Sequence, residues 1–256
     1  MRAFLLAAGR GSRISKNIPN IPKCTLDVGG KPLIRKTVEM LLENGIEVTV
    51  IVGYRYREII RVLDGCPVHI VHNPFYDVTN SIGSLWMAEN MGLFGDGDTL
   101  EDTIIANGDV FWSQEILDFM KKTASGCEMY MLGDSNRVLD GDYFFGTENG
   151  ILKRYGKELT VEERDCEYVG IAYLSASFLP KFLGRLNEMI DEQCHGKWWE
   201  DAIYSLSGEC PVPVKDIAGM FWAEVDFIED YRRILDYIRE QTGIETHGSI
   251  TTFDHS

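Results

Sequence analysis

The stretch Leu6-Ala7-Ala8-Gly9-Arg10-Gly11-Ser12-Arg13 directly follows the apolar residues Ala3-Phe4-Leu5. Residues 3–8 therefore form a short continuous apolar run ended by glycine, which is typical of a strand buried on both faces of a parallel sheet. Glycines after such a strand let backbone N–H groups approach a polyphosphate, and Arg13 and Lys23 supply charge to neutralise it. We interpret the stretch as a phosphate-binding loop. The alternative is that Gly9 and Gly11 only make a tight turn.

Two common phosphate-binding motifs do not fit this loop. The dinucleotide fingerprint requires glycine where Ile14 stands. The Walker loop requires glycine where Thr25 stands, and Ser or Thr where Pro32 stands. The loop therefore indicates a different class of nucleotide-binding protein.

The charge of the 256-residue chain is unevenly distributed. Its formal net charge is −15, yet residues 1–36 carry eight basic residues against the single acid Asp27. The overall acidity disfavours partners such as nucleic acid or an anionic membrane surface, whereas the small basic segment indicates a site for a compact anion such as phosphate. Six cysteines without a CxxC pair indicate free thiols in a reducing compartment. We expect a cytoplasmic protein without membrane insertion, acting as a monomer or homodimer.

Strand-like and helix-like segments alternate along the first 125 residues. After residues 3–8, the pattern predicts a helix from Pro32 to about Gly45, strands at 46–52, 68–71 and 103–106, and helices at 55–64 and about 80–92. This alternation predicts an α/β fold with a doubly wound, mostly parallel, Rossmann-like sheet. Ligands of such sheets bind at the carboxyl ends of the strands.

The second half of the chain has a different pattern. Strands are predicted at 129–132, 143–145, 151–155 and 168–174, followed by helices at 177–192, 199–206 and 227–241. We expect this β-rich half to extend the first sheet. The resulting hypothesis is a single domain over 1–242, with a nucleotide-binding half at 1–125, an acceptor-binding and lid half at 126–242, and a polar tail at 243–256.

The glycine-rich loop, followed after eight residues by Pro22-Lys23, resembles the signature of the Rossmann-like, GT-A-like nucleotidyltransferase superfamily. These enzymes join an NTP to a phosphorylated small molecule and release pyrophosphate. The resemblance implies Mg²⁺ dependence and in-line attack by a substrate phosphate on the α-phosphorus. It also implies catalytic roles for Arg13, which would grip the β- and γ-phosphates, and for Lys23, which would contact the α-phosphate.

Two aspartates match the metal-binding positions of the superfamily. Asp109 ends the segment Ala106-Asn107-Gly108-Asp109, and Asp226 ends Glu224-Val225-Asp226. Carboxylate oxygens are the hard ligands that Mg²⁺ requires. The alternatives are that Asp109 is a turn residue after glycine, and that Asp226 is a helix N-cap with Glu229 as its capping-box partner.

Within the superfamily, the chain is most similar to bacterial cytidylyltransferases that activate phosphocholine and related amino-alcohol phosphates or phosphonates. The similarity rests on Asn80-Ser81-Ile82-Gly83-Ser84-Leu85, on Trp198-Trp199-Glu200-Asp201 and on Glu224-Val225-Asp226. It implies CTP as nucleotide, bound by Leu6, Ala7, Ala8, Gly9, Arg10, Gly11, Ser12, Arg13, Lys23, Asn80, Ser81, Ser84, Asn107 and Gly108. For Asn80 and Ser81, plain N-capping of a helix is the alternative.

Aromatic residues indicate how a cationic acceptor such as phosphocholine would be bound. Rings from Tyr143, Tyr168, Trp198, Trp199 and Trp222 are candidates for a box around a quaternary ammonium, with Glu200 or Glu167 as counter-charge. Burial in the core is the alternative for each ring. A primary amine, as in phosphoethanolamine or 2-aminoethylphosphonate, would need more carboxylates and fewer rings. Competing hypotheses are a sugar-1-phosphate nucleotidyltransferase and a nucleotide-sensing subunit without catalysis.

Overall fold

The computed structural model describes residues 1–11, 21–139 and 141–243. Ser12 and Arg13 of the predicted phosphate loop lie outside the described residues. The same holds for the predicted tail beyond Gly243.

A central sheet organises the molecule. Strands β1 to β11 span Arg2–Ala7, Glu47–Val52, His69–His72, Thr103–Asn107, Val110–Trp112, Met129–Asp134, Phe144–Glu148, Ile151–Gly156, Cys166–Leu174, Val214–Asp216 and Trp222–Glu224. Their order in the sheet is β10-β6-β9-β4-β1-β2-β3, and the β7–β8 hairpin joins through β9. Along that order β9 alone is antiparallel to its neighbours among the described strands. The predicted α/β fold with a mostly parallel sheet is confirmed.

Helices cover both faces of the sheet. Helices α1 to α7 span Leu33–Glu43, Tyr56–Val62, Ser81–Asn90, Gln114–Ala124, Leu179–Asp191, Glu200–Ser205 and Ile228–Thr242. Phe4 and Leu6 point to one face, where they share a core with α3, α5 and α6, whereas Leu5 points to the other face, covered by α1, α2 and α4. Alternate residues of a strand face opposite sides of the sheet, so a continuous apolar run fits a strand covered on both.

A two-stranded antiparallel ribbon formed by β5 and β11 lies outside the main sheet. Helix α7 packs on it through a third core cluster that includes Phe111, Ala223 and Ile234. The Tyr231 hydroxyl donates to the Asp27 carbonyl at 2.5 Å, which ties α7 to the segment after the phosphate loop. The ribbon therefore brings the residues around 109 and 225 together although they are far apart in the chain.

Four elements were not predicted from the sequence. Helix α4 has apolar positions on one face (Ile116, Leu117 and Met120), so its signal was present and overlooked. By contrast, β5, β10 and β11 are three residues long each, and their pairing partners are distant in sequence. Strands this short carry too little local pattern to be recognised without those partners.

Two further observations concern the predicted environment of the protein. Each of the six cysteines has a free thiol. In the part of the chain that the structure describes, no helix combines the length and apolar character needed to cross a bilayer.

Candidate active site

A cavity of about 280 Å³ opens where β1 and β4 end. Its lining includes Leu6, Ala8 and Gly9 at the end of β1 and just after it. Asn107 and Asp109, at the end of β4 and just after it, also line the cavity. The carboxyl edge of parallel strands is where doubly wound sheets bind ligands. The cavity therefore lies at the edge of the sheet where the sequence predicts nucleotide binding.

Three carboxylates converge on one wall of this cavity. Asp109, Glu224 and Asp226 each offer one oxygen, and these oxygens lie within 4.8 Å of one another. The Val225 amide donates to the Asp109 carbonyl at 3.0 Å and so fixes the two segments side by side. A side chain at Gly108 would bring its Cβ within 2.9 Å of the Leu6 carbonyl oxygen, so only glycine allows this close approach.

Glu224 is an addition to the two predicted acids. Burial raises its pKa well above the usual range, and the charges of Asp109 and Asp226 raise it further. Three carboxylates this close repel one another unless a cation lies among them. Strand alternation does not predict this addition, because β11 ends at Glu224 and the Asp226 amide donates to the Glu224 carbonyl at 3.1 Å, so the chain turns between the two residues.

Lys23 supplies positive charge to this acid cluster. Its Nζ is 3.4 Å from an Asp109 carboxylate oxygen and also forms an ion pair with Asp226. Burial by itself would lower the pKa of Lys23, but these carboxylates outweigh burial and raise it. Gly11, at φ of +62°, packs on the lysine stem, and a Cβ there would lie 2.4 Å from Lys23 Cγ. The absence of a side chain at Gly11 therefore leaves room for the Lys23 stem beside the acids.

Asp226 is not the N-cap of α7. The Asp230 carboxylate accepts hydrogen bonds from the Phe227 amide at 2.9 Å and from the Asp226 amide at 3.3 Å. The helix begins only at Ile228. The capping alternative is therefore wrong for Asp226, whose carboxylate belongs to the acid cluster, and Asp230 caps the helix instead of the expected Glu229.

A buried hydrogen-bond chain forms the floor next to the acids. The Trp199 indole N–H donates to Asn107 Oδ1 at 3.0 Å, and Asn107 Nδ2 donates to Glu200 Oε1 at 3.3 Å. Glu200 is buried yet lines the cavity. Burial, reinforced by the charge of Asp201, raises its pKa to about 7. The Asn107 amide, predicted to bind nucleotide, is thus engaged in holding Glu200.

An aromatic wall forms another part of the cavity lining. Tyr143, Tyr168, Trp198 and Tyr204 line the cavity. The Tyr143 centroid lies 5.8 Å from that of Trp198 and 6.4 Å from that of Tyr168. The Tyr168 hydroxyl is buried beside Glu200 without a hydrogen bond of ordinary geometry. Tyr204 was not predicted from the sequence, since burial in a helix and exposure to a cavity leave the same apolar signal.

Two predicted acceptor residues are corrected by the structure. Trp199 is fully buried and lies beneath the cavity, packed in the core. Trp222 is also buried, and its indole N–H donates to Asp134 at 2.9 Å. It borders a neighbouring cavity that also contains Arg137 and Glu167. The core alternative is therefore correct for these two rings.

The predicted nucleotide residues divide into two groups. Asn80, Ser81 and Ser84 line the cavity at the start of α3. Asn80 also caps that helix, because its side chain accepts from the Ser81 amide at 2.8 Å. Ser84 Oγ is buried and accepts from Asn73 at 2.8 Å.

The other group does not form the wall. Ala7 faces the core on the α1 side of the sheet. Arg10 Nη2 lies 3.7 Å from Asp77, and its guanidinium stacks over Tyr76 at 5.7 Å. Gly11, Lys23 and Gly108 lie behind the lining residues and support them, as described above.

The matching family model is that of the MobA-like NTP transferase domain, which covers residues 3–138, just over half of the chain. The chain belongs to this family. It is a nucleotidyltransferase, as the resemblance implied. The family model contains the phosphate loop, Lys23 and Asp109, whereas Glu224 and Asp226 come from the part of the chain beyond it.

Relatives match nearly the full length. The choline-phosphate cytidylyltransferase of Streptococcus pneumoniae is 22% identical over 252 residues, covering 94% of this chain and 100% of that protein. The 2-aminoethylphosphonate cytidylyltransferase of Lancefieldella rimae is 25% identical over 234 residues, covering 89% of each.

Solved structures show the same fold. The CTP:phosphocholine cytidylyltransferase of S. pneumoniae superimposes with a TM-score of 0.71 at 19% identity, over 93% of this chain and 98% of that one. A UDP-glucose pyrophosphorylase in complex with UDP-glucose gives a TM-score of 0.68 at 16% identity, over 94% and 98% of the two chains. Enzymes with amino-alcohol and sugar acceptors thus share this architecture.

Proposed function

We propose that this nucleotidyltransferase is a cytidylyltransferase that joins CTP to phosphocholine or a close analogue. The products are a CDP-linked amino alcohol and pyrophosphate. The observation that carries the proposal is a cavity lined by three carboxylates, which Lys23 supports from behind, and by four aromatic rings and the buried Glu200. The names of the two relatives described above agree with such an acceptor.

The donor set of the acid cluster fits Mg²⁺. Asp109, Glu224 and Asp226 offer only carboxylate oxygens, which are the hard ligands that this ion prefers. When bound, Mg²⁺ would neutralise the phosphate oxygens that gather charge in the transition state. Burial and then the charges of Asp109 and Asp226 raise the pKa of Glu224, and a bound cation would favour its ionised form.

The protein's own contribution to catalysis is positioning and charge. An oxygen of the acceptor phosphate attacks the α-phosphorus of CTP, and the bond from that phosphorus to the bridging oxygen of pyrophosphate breaks. Lys23 carries a buried positive charge next to this point, and its ammonium offsets the charge on the α-phosphate. The role of Arg13 on the β- and γ-phosphates remains a prediction from the sequence, since Arg13 lies outside the described residues.

The acceptor head group would lie against the aromatic wall. Each well-placed ring contributes roughly 0.5–2 kcal/mol to binding an ammonium. Glu200 adds a carboxylate that the cavity shields from water. This combination of rings and one buried carboxylate favours a quaternary ammonium over a hexose, which would instead need many hydrogen-bond donors and acceptors.

A substrate panel tests the proposal. The purified protein is incubated with Mg²⁺ and CTP or UTP, and with phosphocholine, phosphoethanolamine, 2-aminoethylphosphonate or glucose 1-phosphate. Pyrophosphate release is then measured. We expect release with CTP and at least one amino-alcohol substrate. Turnover restricted to a sugar phosphate would establish the alternative, a sugar-1-phosphate nucleotidyltransferase, which the fold shared with a UDP-glucose pyrophosphorylase supports.

The pH dependence of acceptor binding should report on Glu200. Its carboxyl has a pKa of about 7, so it is mostly neutral at pH 6 and mostly ionised at pH 8. Burial is the main cause that raises this pKa, and Asp201 raises it further. Asn107 and Tyr168 lower it, and a bound ammonium would also favour the ionised form. We expect the KM for phosphocholine to fall by about tenfold between pH 6 and pH 8, since one proton changes binding by at most tenfold per pH unit near its pKa.

Glu200→Gln separates this effect from titration of the acceptor phosphate. The variant should keep a high KM with only the acceptor's own pH dependence, and Glu188→Gln, on the exposed side of α5, should behave as wild type. Ionisation of Glu200 destabilises the fold as pH rises, because its folded-state pKa lies above the ordinary value. A loss of folded protein would lower the maximum rate and leave KM unchanged, so the KM readout is separate from this effect. Identical pH profiles for Glu200→Gln and wild type would remove Glu200 from the acceptor site.

A further inference from the structure

One cation already lies on the aromatic wall of the cavity. Lys157 directly follows β8, and its Nζ is 2.8 Å from Asp142 Oδ2. The same Nζ lies 5.9 Å from the centroid of the Trp198 ring. Lys157, Asp142 and Trp198 all line the cavity. A lysine ammonium, an aromatic face and a carboxylate are thus arranged as a bound ammonium ligand would be.

The Lys157 ammonium occupies the same position beside Trp198 and Asp142 that an acceptor head group would need. Trp198 is 40% exposed, so its ring is accessible from the cavity. Tyr143 lies edge-on to it at 5.8 Å, and Glu200 lines the same cavity. Two cations cannot share one ring face and one carboxylate without repelling each other.

We propose that Lys157 determines acceptor specificity by occupying the ammonium-binding position beside Trp198 and Asp142 until a cationic head group displaces it. The proposal rests on the proposed function, because it concerns the acceptor site of that reaction. It assigns to Lys157 a competitive role. The internal ammonium lowers the affinity for cationic head groups and leaves neutral ones unaffected.

The surroundings of Lys157 allow this displacement. Its side chain is 37% exposed and that of Asp142 is 41% exposed, so the pair lies at the cavity mouth with solvent beside it. Ion pairs with this exposure change an equilibrium by about fivefold at most. Lys23 differs because its side chain is 10% exposed and is held by two carboxylates. An incoming cation can therefore replace Lys157 in the cavity lining.

Lys157→Met removes the competing charge and keeps most of the apolar stem. We expect the KM for phosphocholine to fall about two- to fivefold with little change in kcat. The uncharged isostere 3,3-dimethylbutyl phosphate should show the same KM in variant and wild type. Lys153→Met is the matched control, because Lys153 is exposed on β8 and is not part of the cavity wall.

Direct binding gives a second readout that does not require turnover. Choline and its uncharged isostere 3,3-dimethylbutanol are titrated into the wild type and Lys157→Met. Binding is followed by tryptophan fluorescence. Loss of the signal in Trp198→Phe would identify Trp198 as the responding ring. The proposal predicts tighter choline binding by Lys157→Met and no change for the isostere.

The outcomes separate the two hypotheses. An unchanged choline affinity in Lys157→Met overturns the role of Lys157, even in an active enzyme. A higher KM and a lower kcat with both phosphate acceptors also overturn it, because that result means that Lys157 binds the acceptor phosphate. If no acceptor supports pyrophosphate release, the proposed function fails, and the choline titration still decides whether Lys157 competes with cations.

Discussion

Replacing Asp226 with Asn should lower kcat/KM by about 10²–10³-fold, the size of effect seen when one preorganised electrostatic group is removed from an active site. Asp226 contributes one of three converging carboxylates and also pairs with the buried Lys23. The amide keeps the shape of the side chain but removes the charge that attracts a divalent cation. Initial rates of pyrophosphate release over a range of Mg²⁺ concentrations measure the effect.

The fold should survive this substitution. Lys23 retains Asp109 at 3.4 Å, and the neighbouring Glu224 also favours its charged form, so the ammonium is not left without a counter-charge. Asp236→Asn is the control, since Asp236 lies on α7 in an exposed ion pair with Arg239. Binding of Mn²⁺ followed by electron paramagnetic resonance gives an independent readout. If Asp226→Asn binds Mn²⁺ and turns over as wild type does, the acid cluster is not the metal site.

Trp199→Ala should destabilise the protein by about 3–5 kcal/mol, the range measured when a buried Trp or Phe is truncated. Trp199 is fully buried, its backbone amide donates to Ser81 Oγ at 3.0 Å, and its indole holds Asn107. The substitution therefore opens a void in the core and removes the indole donor from Oδ1 of the half-buried Asn107. In a domain of this size we expect a melting temperature about 6–20 °C lower.

The adjacent tryptophan supplies the matched control. Trp198→Ala removes a ring that is 40% exposed, so the melting temperature should fall by only a few degrees while the acceptor KM rises. Thermal unfolding followed by circular dichroism compares the two variants. Equal destabilisation by both substitutions would contradict the assignment of Trp199 to the core and Trp198 to the cavity wall.

The start of the chain could be predicted because its signals are local. Residues 3–8 are apolar without interruption and end at Gly9, and this pattern alone specifies a central strand followed by a loop. The same reasoning identified Asp109, which comes shortly after a buried strand and therefore lies at the ligand-binding edge. Asp226 was matched by family resemblance, yet its local pattern suggested a helix cap, which the Asp230 side chain provides instead.

For the proposed acceptor site, the sequence predicted which types of residue are present but not which of them line the cavity. Trp198 and Trp199 are neighbours with the same chemistry, and no local pattern distinguishes them. The direction of each ring follows from contacts with distant residues: Asn107 and Ser81 hold Trp199, and Tyr143 lies against Trp198. Tyr204 and Lys157 were overlooked for the same reason, since the segments that carry them meet only in the folded protein.

The sequence by itself determined the order of strands and helices from β1 to β4, the glycine-rich loop with its basic segment, and the chemistry of the site in outline. Strand periodicity, glycine positions and charge are properties of short stretches, so they can be read without the fold. Only the tertiary structure decided that Glu224 completes the acid cluster, that Trp199 and Trp222 belong to the core, and that Lys157 lies over Trp198. Each of these depends on which way a side chain points after distant segments pair, and that direction is fixed by packing.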